Sequence, residues 1–94
     1  MWRAILAWKI EFEDSALKEL AKLDKPVAKR ILAFLCERVA VLDGPRSIGQ
    51  ALKGSQYGEF WKYRVGDYRI ITHLDGDVMR VLVLKVGHRR EVYR

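Results

Sequence analysis

The residues best suited to chemistry in this 94-residue chain lie in the stretch KVGHRREVYR, residues 85–94. The stretch contains a histidine, three arginines and a tyrosine, namely His88, Arg89, Arg90, Tyr93 and Arg94. A guanidinium stays charged at physiological pH and binds phosphate oxygens through two parallel hydrogen bonds. A dense basic ending after an apolar strand therefore predicts an anion site, and the alternative is a frayed basic tail without function.

A second group of cations lies in the segment FWKYRVGDYR, residues 60–69. If its Gly-Asp pair forms a two-residue hairpin loop, Arg64 lies directly opposite Arg69, and Lys62 lies two positions along on the same face. The roots of the two arginine side chains are then about 5 Å apart, and like charges in that position destabilise a sheet. Such a hairpin either shields its arginines with carboxylates or uses them to hold an anion.

Other kinds of active site find little support in the sequence. No Gly-rich phosphate loop, Ser-His-Asp set or pair of carboxylates stands out. Cys36 is the only cysteine, which excludes a disulfide within the chain and a Cys-based metal site, and we expect it in the core. The two histidines, His73 and His88, are not accompanied by clustered carboxylates, so no metal site is predicted.

The charge distribution also indicates an anionic partner. The net charge is +6 and the isoelectric point about 9.7. Residues 1–43 hold eight Lys and Arg against seven Asp and Glu, whereas residues 44–94 hold ten against five. A basic excess confined to one half of the chain predicts a phosphate-binding face, the alternative being an ordinary solvated surface.

The elements that must position these cations follow from hydrophobic periodicity. Residues 8–12 alternate apolar and polar side chains, which predicts a half-buried strand. Asp14 and Ser15 begin a first helix. Its apolar positions are Leu17, Leu20 and Ala21. A second helix begins at Pro26 and ends in the turn at residues 43–45. Its apolar face consists of Val27, Ile31, Phe34, Leu35 and Val39.

The second half of the chain reads as a meander of three strands. Strands are predicted at residues 60–65, 68–74 and 78–86, joined by two-residue turns at 66–67 and 75–76. We expect an α+β fold in one domain, residues 1–94, in which the N-terminal strand and two helices pack on one face of an antiparallel sheet. The other face is at least partly open. Packing roles, rather than base stacking, are expected for Trp61, Tyr63 and Tyr68.

Three segments together resemble one known family. They are ALKG at residues 51–54, FWKYRVGDYRIITHLDGD at residues 60–77 and VLKVGHRREVY at residues 83–93. In this order they resemble the RelE family of bacterial toxins, within the wider RelE/ParE fold, and the resemblance extends from about residue 10 to residue 93.

The resemblance implies a ribosome-dependent endonuclease that cuts messenger RNA in the A site without metal or cofactor. The 2′-hydroxyl would attack the adjacent phosphate and expel the 5′-oxygen. Arg69 would contact the scissile phosphate, Arg89 would stabilise developing charge, and Tyr93 would take the 2′-hydroxyl proton. Positive charge around a phenol favours the phenolate, so the arginines would also activate this tyrosine. Phe60 departs from the family, whose best-known member has a lysine there.

The residues carried over by the resemblance fall into two sets. The expected catalytic residues are Lys62, Arg69, Arg89 and Tyr93. The expected RNA- and ribosome-binding residues are Lys53, Arg64, His88, Arg90 and Arg94.

The resemblance also implies partners and a compartment. We expect a RelB-like antitoxin, the ribosome and its message, and operator DNA only through the toxin–antitoxin complex. The opening MWRAILAWKI lacks a cleavage site of small residues and is too short to span a bilayer, so we expect a cytoplasmic protein with no membrane partner.

Two other functions remain open from the sequence. A ParE-like toxin has the same fold but inhibits DNA gyrase, and the Arg-to-Tyr ending argues against it. The second is a catalytically inactive module that binds RNA or an antitoxin.

Overall fold

In the computed structural model, residues 7–41, 43–52 and 59–92 are described, apart from the side chains of residues 91 and 92. The helices are α1 (Asp14–Ala21), α2 (Lys25–Phe34), α3 (Gly44–Ser47) and α4 (Arg89–Val92), and a π-helical segment, Leu35–Val39, continues α2. The strands are β1 (Lys9–Phe12), β2 (Gln50–Ala51), β3 (Glu59–Val65), β4 (Tyr68–Asp75) and β5 (Arg80–His88). In the described part of the chain, no helix combines the length and apolar character that crossing a membrane requires.

The five strands form one mixed sheet in the order β1-β5-β4-β3-β2. The α+β class is confirmed. The expectation of an antiparallel sheet is wrong for one strand pair. β1 pairs with β5 in parallel, with Lys9 opposite Arg80 and Phe12 opposite Val83. Alternating polarity identifies a half-buried strand but not its direction. The long connection through the helices allows β1 and β5 to run the same way.

The core lies between the helices and one face of the sheet. Its fully buried side chains include Ile31 and Leu35 from the helical region and Tyr63, Ile70 and Val81 from the sheet. The predicted apolar face of the second helix is thus confirmed at its centre. We call the other face of the sheet, turned away from the helices, the open face.

Two predictions about the helices are wrong. Ala16 and Leu20 are the buried positions of α1, and Leu17 is 48% exposed. Cys36, expected in the core, is exposed. It follows the buried Leu35 by about a quarter turn, which rotates its side chain away from the sheet.

The two hairpins differ in how closely they follow their turn signals. The β3–β4 register is as predicted, with Arg64 opposite Arg69. The expected two-residue turn at residues 75–76 is wrong, because Asp75 pairs with Arg80 across a four-residue loop. The backbone N–H of Asp77 donates to the Asp75 carboxylate at 3.2 Å, a local bond that favours a longer turn.

Candidate functional site

The open face carries cations in rows that the strand register sets. The first row joins Arg64, Arg69 and Gly87 across β3, β4 and β5, and the second joins Lys62, Ile71 and Lys85. Side chains of directly paired residues share a face of the sheet. The prediction that Arg64 lies opposite Arg69, with Lys62 beside them on the same face, is therefore confirmed.

A bulge in β5 brings Lys85 into the second row. Ile71 pairs with Lys85 while Thr72 pairs with Val83, so the intervening residue, Leu84, has no partner in β4. Val83 and Val86 are both buried on the helix side, which leaves Leu84 and Lys85 to face the open side. Lys85 was missed as a candidate from the sequence, although two residues between buried valines signal a break in alternation.

A cleft of about 360 Å³ opens beside the first two rows. It is lined by Gly49, Gln50, Lys62, Tyr63, Arg64 and Arg69, and we call it the basic cleft. Among these described lining residues there is no carboxylate. Within the described part of the chain, Arg64 and Arg69 form no ion pair with a carboxylate either. Among the described residues, the carboxylate shield that the sequence allowed is therefore not found, and anion binding stays a prediction.

The guanidinium of Arg69 is held at the hairpin turn by backbone carbonyl groups of neighbouring residues. Its Nη1 donates to the carbonyl oxygens of Gly66 and Tyr68, each at 3.3 Å. These two bonds use one nitrogen and leave the remaining donors of the planar group for another acceptor. Arg69 is thus positioned without a neutralising charge.

Gly49 forms part of the wall of the cleft and directly precedes β2. Its φ is +76°, and a Cβ there would clash with the Lys62 carbonyl oxygen and lie 2.6 Å from the Tyr63 ring. A glycine at this position lets β2 pair with β3 and lets Gln50 reach the cleft. An isolated glycine before a short polar stretch was the available sequence signal.

Tyr63 lines the cleft but cannot act as its base. The side chain is 1% exposed, and its hydroxyl donates to the Pro45 carbonyl oxygen at 2.6 Å. Burial raises the pKa of Tyr63 above its ordinary value, which keeps the phenol protonated. The packing role expected for Tyr63 is confirmed, and Trp61 and Tyr68 also pack partly buried against the core.

The C-terminal segment begins beside the same hairpin turn. The backbone N–H of Arg89, the first residue of α4, donates to the Asp67 carbonyl oxygen at 2.9 Å. Asp67 lies two residues before Arg69. The structure therefore brings the start of the basic ending to the hairpin, with the side chains of Arg89 and Arg90 exposed.

His88 lies on the other side of the sheet from the basic cleft. It pairs with Tyr68, and the two rings meet edge to face with centroids 5.8 Å apart. Both rings line a groove against α1 together with Glu19 and Lys22. The structure does not bring His88 together with Lys62 and the opposed arginines.

Three of the predicted site residues, Lys53, Tyr93 and Arg94, lie outside the described residues. Their roles stay predictions. The described part of the site consists of Lys62, Arg64 and Arg69 in the cleft and the backbone of α4 beside it.

Comparison with known proteins places this chain in a class, the small toxins of toxin–antitoxin systems. The sequence model of the ParE toxin of the type II toxin–antitoxin system parDE matches residues 10–93. The mRNA interferase toxin RelE of Escherichia coli (strain K12) is 32% identical over 90 residues, which cover 94% of this chain and 92% of that protein.

Solved structures of toxin–antitoxin complexes contain the same fold. The toxin–antitoxin complex RelBE2 of Mycobacterium tuberculosis matches with a TM-score of 0.78 at 23% identity, over 93% of this chain and 97% of the other. The intact E. coli RelBE complex matches with a TM-score of 0.71 at 26% identity, over 87% and 96%. The chain belongs to the RelE family of toxins of type II toxin–antitoxin systems, within the RelE/ParE superfamily, as the sequence resemblance indicated.

Proposed function

We propose that this toxin is a ribosome-dependent endoribonuclease that cuts messenger RNA in the A site without a metal ion. The observation that carries the proposal is the basic cleft, where Lys62, Arg64 and Arg69 converge with no carboxylate among the described lining residues. The name of the E. coli relative, an mRNA interferase, supports the same activity.

The proposed reaction is a transesterification within the message. The 2′-oxygen bonds to the adjacent phosphorus, and the bond from phosphorus to the 5′-oxygen breaks. The products are a 2′,3′-cyclic phosphate and a 5′-hydroxyl. One proton leaves the 2′-hydroxyl for a base, and one proton is delivered to the departing 5′-oxygen. The phosphorane that forms in between carries extra negative charge, which fixed cations stabilise.

The cleft supplies the charge stabilisation that this reaction requires. Arg69, already held at the turn by Gly66 and Tyr68, would donate its remaining N–H groups to the scissile phosphate. Lys62 and Arg64 would hold the same or neighbouring phosphates. Arg89 would approach from α4 beside the turn, and Tyr93 would accept the 2′-hydroxyl proton.

The proposed partner is a RelB-like antitoxin that covers the open face. The solved complexes of the M. tuberculosis and E. coli relatives contain such antitoxins. We expect a short acidic polypeptide, since it would neutralise the rows of cations. Operator DNA would be bound only by the complex. Co-purification from the native operon tests this, and repeated isolation of a free, harmless toxin would contradict it.

One alternative has a specific observation in its favour. The matching family model is described as a ParE toxin, and ParE-like toxins act on DNA gyrase rather than on messenger RNA. In that case the cleft would bind no message, and cells would accumulate damaged DNA.

Mapping of transcript ends after brief expression of the toxin decides between the two. The proposed function predicts new ends within translated codons, together with cleavage of A-site message on purified ribosomes when Mg²⁺, which the ribosome itself requires, is the only divalent metal ion added. Expression of Lys18→Ala, which removes one exposed cation from α1, should give the same ends and serves as the control. Gyrase-dependent DNA breaks without new transcript ends would contradict the nuclease and support the alternative.

A further inference from the structure

A third row on the open face is apolar and aromatic. Phe60 of β3 pairs with His73 of β4, which pairs with Leu82 of β5. The rings of Phe60 and His73 meet at 62° with centroids 5.2 Å apart. All three side chains are half-buried, and neither Phe60 nor Leu82 belongs to the set that packs against the core. This apolar row lies next to the cationic second row.

The carboxylates nearest in sequence or register to this row are already engaged. Glu59, which precedes Phe60, alternates to the helix side, where both its oxygens accept from Arg46 at 2.7 Å. Glu11, opposite Leu82 in β1, pairs with Arg80 at 3.6 Å. The apolar row therefore adjoins the second row, with Lys62 and Lys85, on one side and the ion pairs of Arg80 on the other.

We propose that the apolar row of Phe60, His73 and Leu82 is a nucleobase platform for a single RNA strand whose phosphates lie on the first two rows. This inference rests on the proposed function for the identity of the ligand. Successive rows are about 7 Å apart along the strands, a spacing comparable to that of successive phosphates in an extended single strand. Exposed aromatic rings beside a cationic track are the usual means of binding single-stranded nucleic acid.

A nucleobase platform accounts for the apolar row beside the cationic rows, which phosphate binding alone does not explain. A surface that only held phosphates would gain from a cation or a polar group at each position along the track. Here a ring pair with an adjacent leucine follows the second row, and the next cation along the sheet, Arg80, is paired with Glu11 and Asp75. A base turned toward the sheet would cover this apolar surface while its own phosphate stayed with Lys62 and Lys85.

The test separates contact with a base from contact with phosphates. The probe is a six-nucleotide oligoribonucleotide with 2′-O-methyl groups that block cleavage, compared with the same strand carrying one central abasic position. Binding to the purified full-length toxin is measured by fluorescence anisotropy. Parental toxin should prefer the intact strand by about 5- to 150-fold, the range expected for one stacked base.

Variants assign the preference to the platform. Phe60→Ala should bring the ratio of the two affinities close to one, and Phe60→Trp should retain it. Phe60→Leu keeps apolar volume without a ring and should lose most of the preference for the intact strand. This variant guards against a folding defect in Phe60→Ala. Arg64→Ala should weaken both strands equally and leave the ratio unchanged.

Three outcomes would overturn the inference. Equal affinity of the parental toxin for both strands would leave phosphate binding intact but remove the platform. Binding of an acidic peptide, but of neither RNA strand, in a Phe60-dependent manner would assign the row to a protein partner. Absence of RNA binding also contradicts it, and cleavage on the ribosome, measured in parallel, then decides the proposed function separately.

Discussion

At the residue scale, the opposed arginines Arg64 and Arg69 determine what the basic cleft can bind. Each faces a like charge across the β3–β4 ladder, and neither has a carboxylate partner in the described part of the chain. Directly opposed like charges destabilise a sheet by a few tenths of a kcal/mol or more. The pair therefore does not stabilise the sheet, and binding of an anion is the role that we propose for it.

Replacement of Arg69 separates its proposed contribution to cleavage from its effect on the stability of the sheet. Arg69→Ala should slow single-turnover cleavage of A-site message on purified ribosomes by about 10²–10³, because a fixed charge donor is removed. Its thermal midpoint should be equal to or above that of the parent, because the repulsion is removed as well. Lys18→Ala on α1 is the matched cation control and should change neither quantity. A parental cleavage rate in Arg69→Ala would remove this arginine from the site.

The two tyrosines offer a paired test of catalysis and packing. Tyr93→Phe should slow cleavage by about 10²–10⁴, the usual loss with a general base, without changing the free energy of unfolding. Tyr63→Phe should do the reverse and cost about 1–3 kcal/mol, because the buried Pro45 carbonyl loses its donor. Chemical denaturation and single-turnover kinetics on both variants check this. A parental cleavage rate in Tyr93→Phe would show that another group takes the proton.

At the scale of the elements, the short strand β2 builds the cleft by its close approach to β3. Gly49→Ala would place a methyl group against the Lys62 carbonyl and the Tyr63 ring in a left-handed backbone. We expect it to destabilise the fold by more than about 2 kcal/mol. Gly66→Ala shares the positive φ but meets only an Arg30 nitrogen at 3.6 Å, so about 1–2 kcal/mol is expected. Equal losses in urea unfolding would contradict the packing role of Gly49.

The ion pair of Arg46 and Glu59 ties α3 to β3 and gives stability a specific dependence on pH. Hydrogen bonds from Arg46 lower the pKa of Glu59 below its ordinary value. A lowered carboxyl pKa in the folded state contributes stability above the unfolded value of about 4.3, and this contribution is lost as pH falls through the folded pKa. Because both side chains are partly exposed, it is worth no more than about 1 kcal/mol.

Glu59→Gln should therefore be less stable than the parent at pH 7, and the difference should close below about pH 4. Glu11→Gln is the control, since its contact with Arg80 is longer at 3.6 Å and should give a smaller difference. Urea denaturation at several pH values measures both. A difference for Glu59→Gln that stays constant down to pH 3 would contradict the assignment.

At the scale of the whole molecule, positive charge is concentrated in the second half of the chain, which supplies the cations of the open face. Residues 44–94, which form α3 to α4, carry a balance of +5, against +1 for residues 1–43, which form β1, α1, α2 and the π-helical segment. Cations on one face raise the local potential and steer an anionic partner toward it. The ribosome, with its dense phosphate surface, would be approached with the open face first.

The salt dependence of ribosome association tests whether the cations of the open face drive binding. The triple variant Lys62→Ala, Arg64→Ala, Lys85→Ala should bind more weakly and reduce the slope of log affinity against log salt by up to about 2–3. A control triple on the helices, at Lys18, Lys22 and Lys29, removes the same charge from the other side and should change the slope little. Equal slopes in the two triples would mean that net charge, and not the open face, drives association.

Local patterns in the sequence determined much of this molecule. The turn Gly66-Asp67, flanked by alternating side chains, was sufficient to predict the β3–β4 register residue by residue. The apolar spacing at Ile31, Leu35 and Val39 predicted the buried side of the second helix. These features follow from neighbours in sequence, because backbone turns and side-chain periods are set within a few residues.

Only the tertiary structure decided which distant groups meet. The direction of β1, the bulge at Leu84 that turns Lys85 to the open face, and the approach of Gly49 to Tyr63 all depend on contacts far apart in the chain. The two histidines illustrate the consequence. His88 pairs with Tyr68 on the helix side of the sheet, beside α1, whereas His73 pairs with Leu82 on the open face with the cations. A strand's period of two makes its faces visible in sequence, but packing alone chooses which face is buried and what lies opposite.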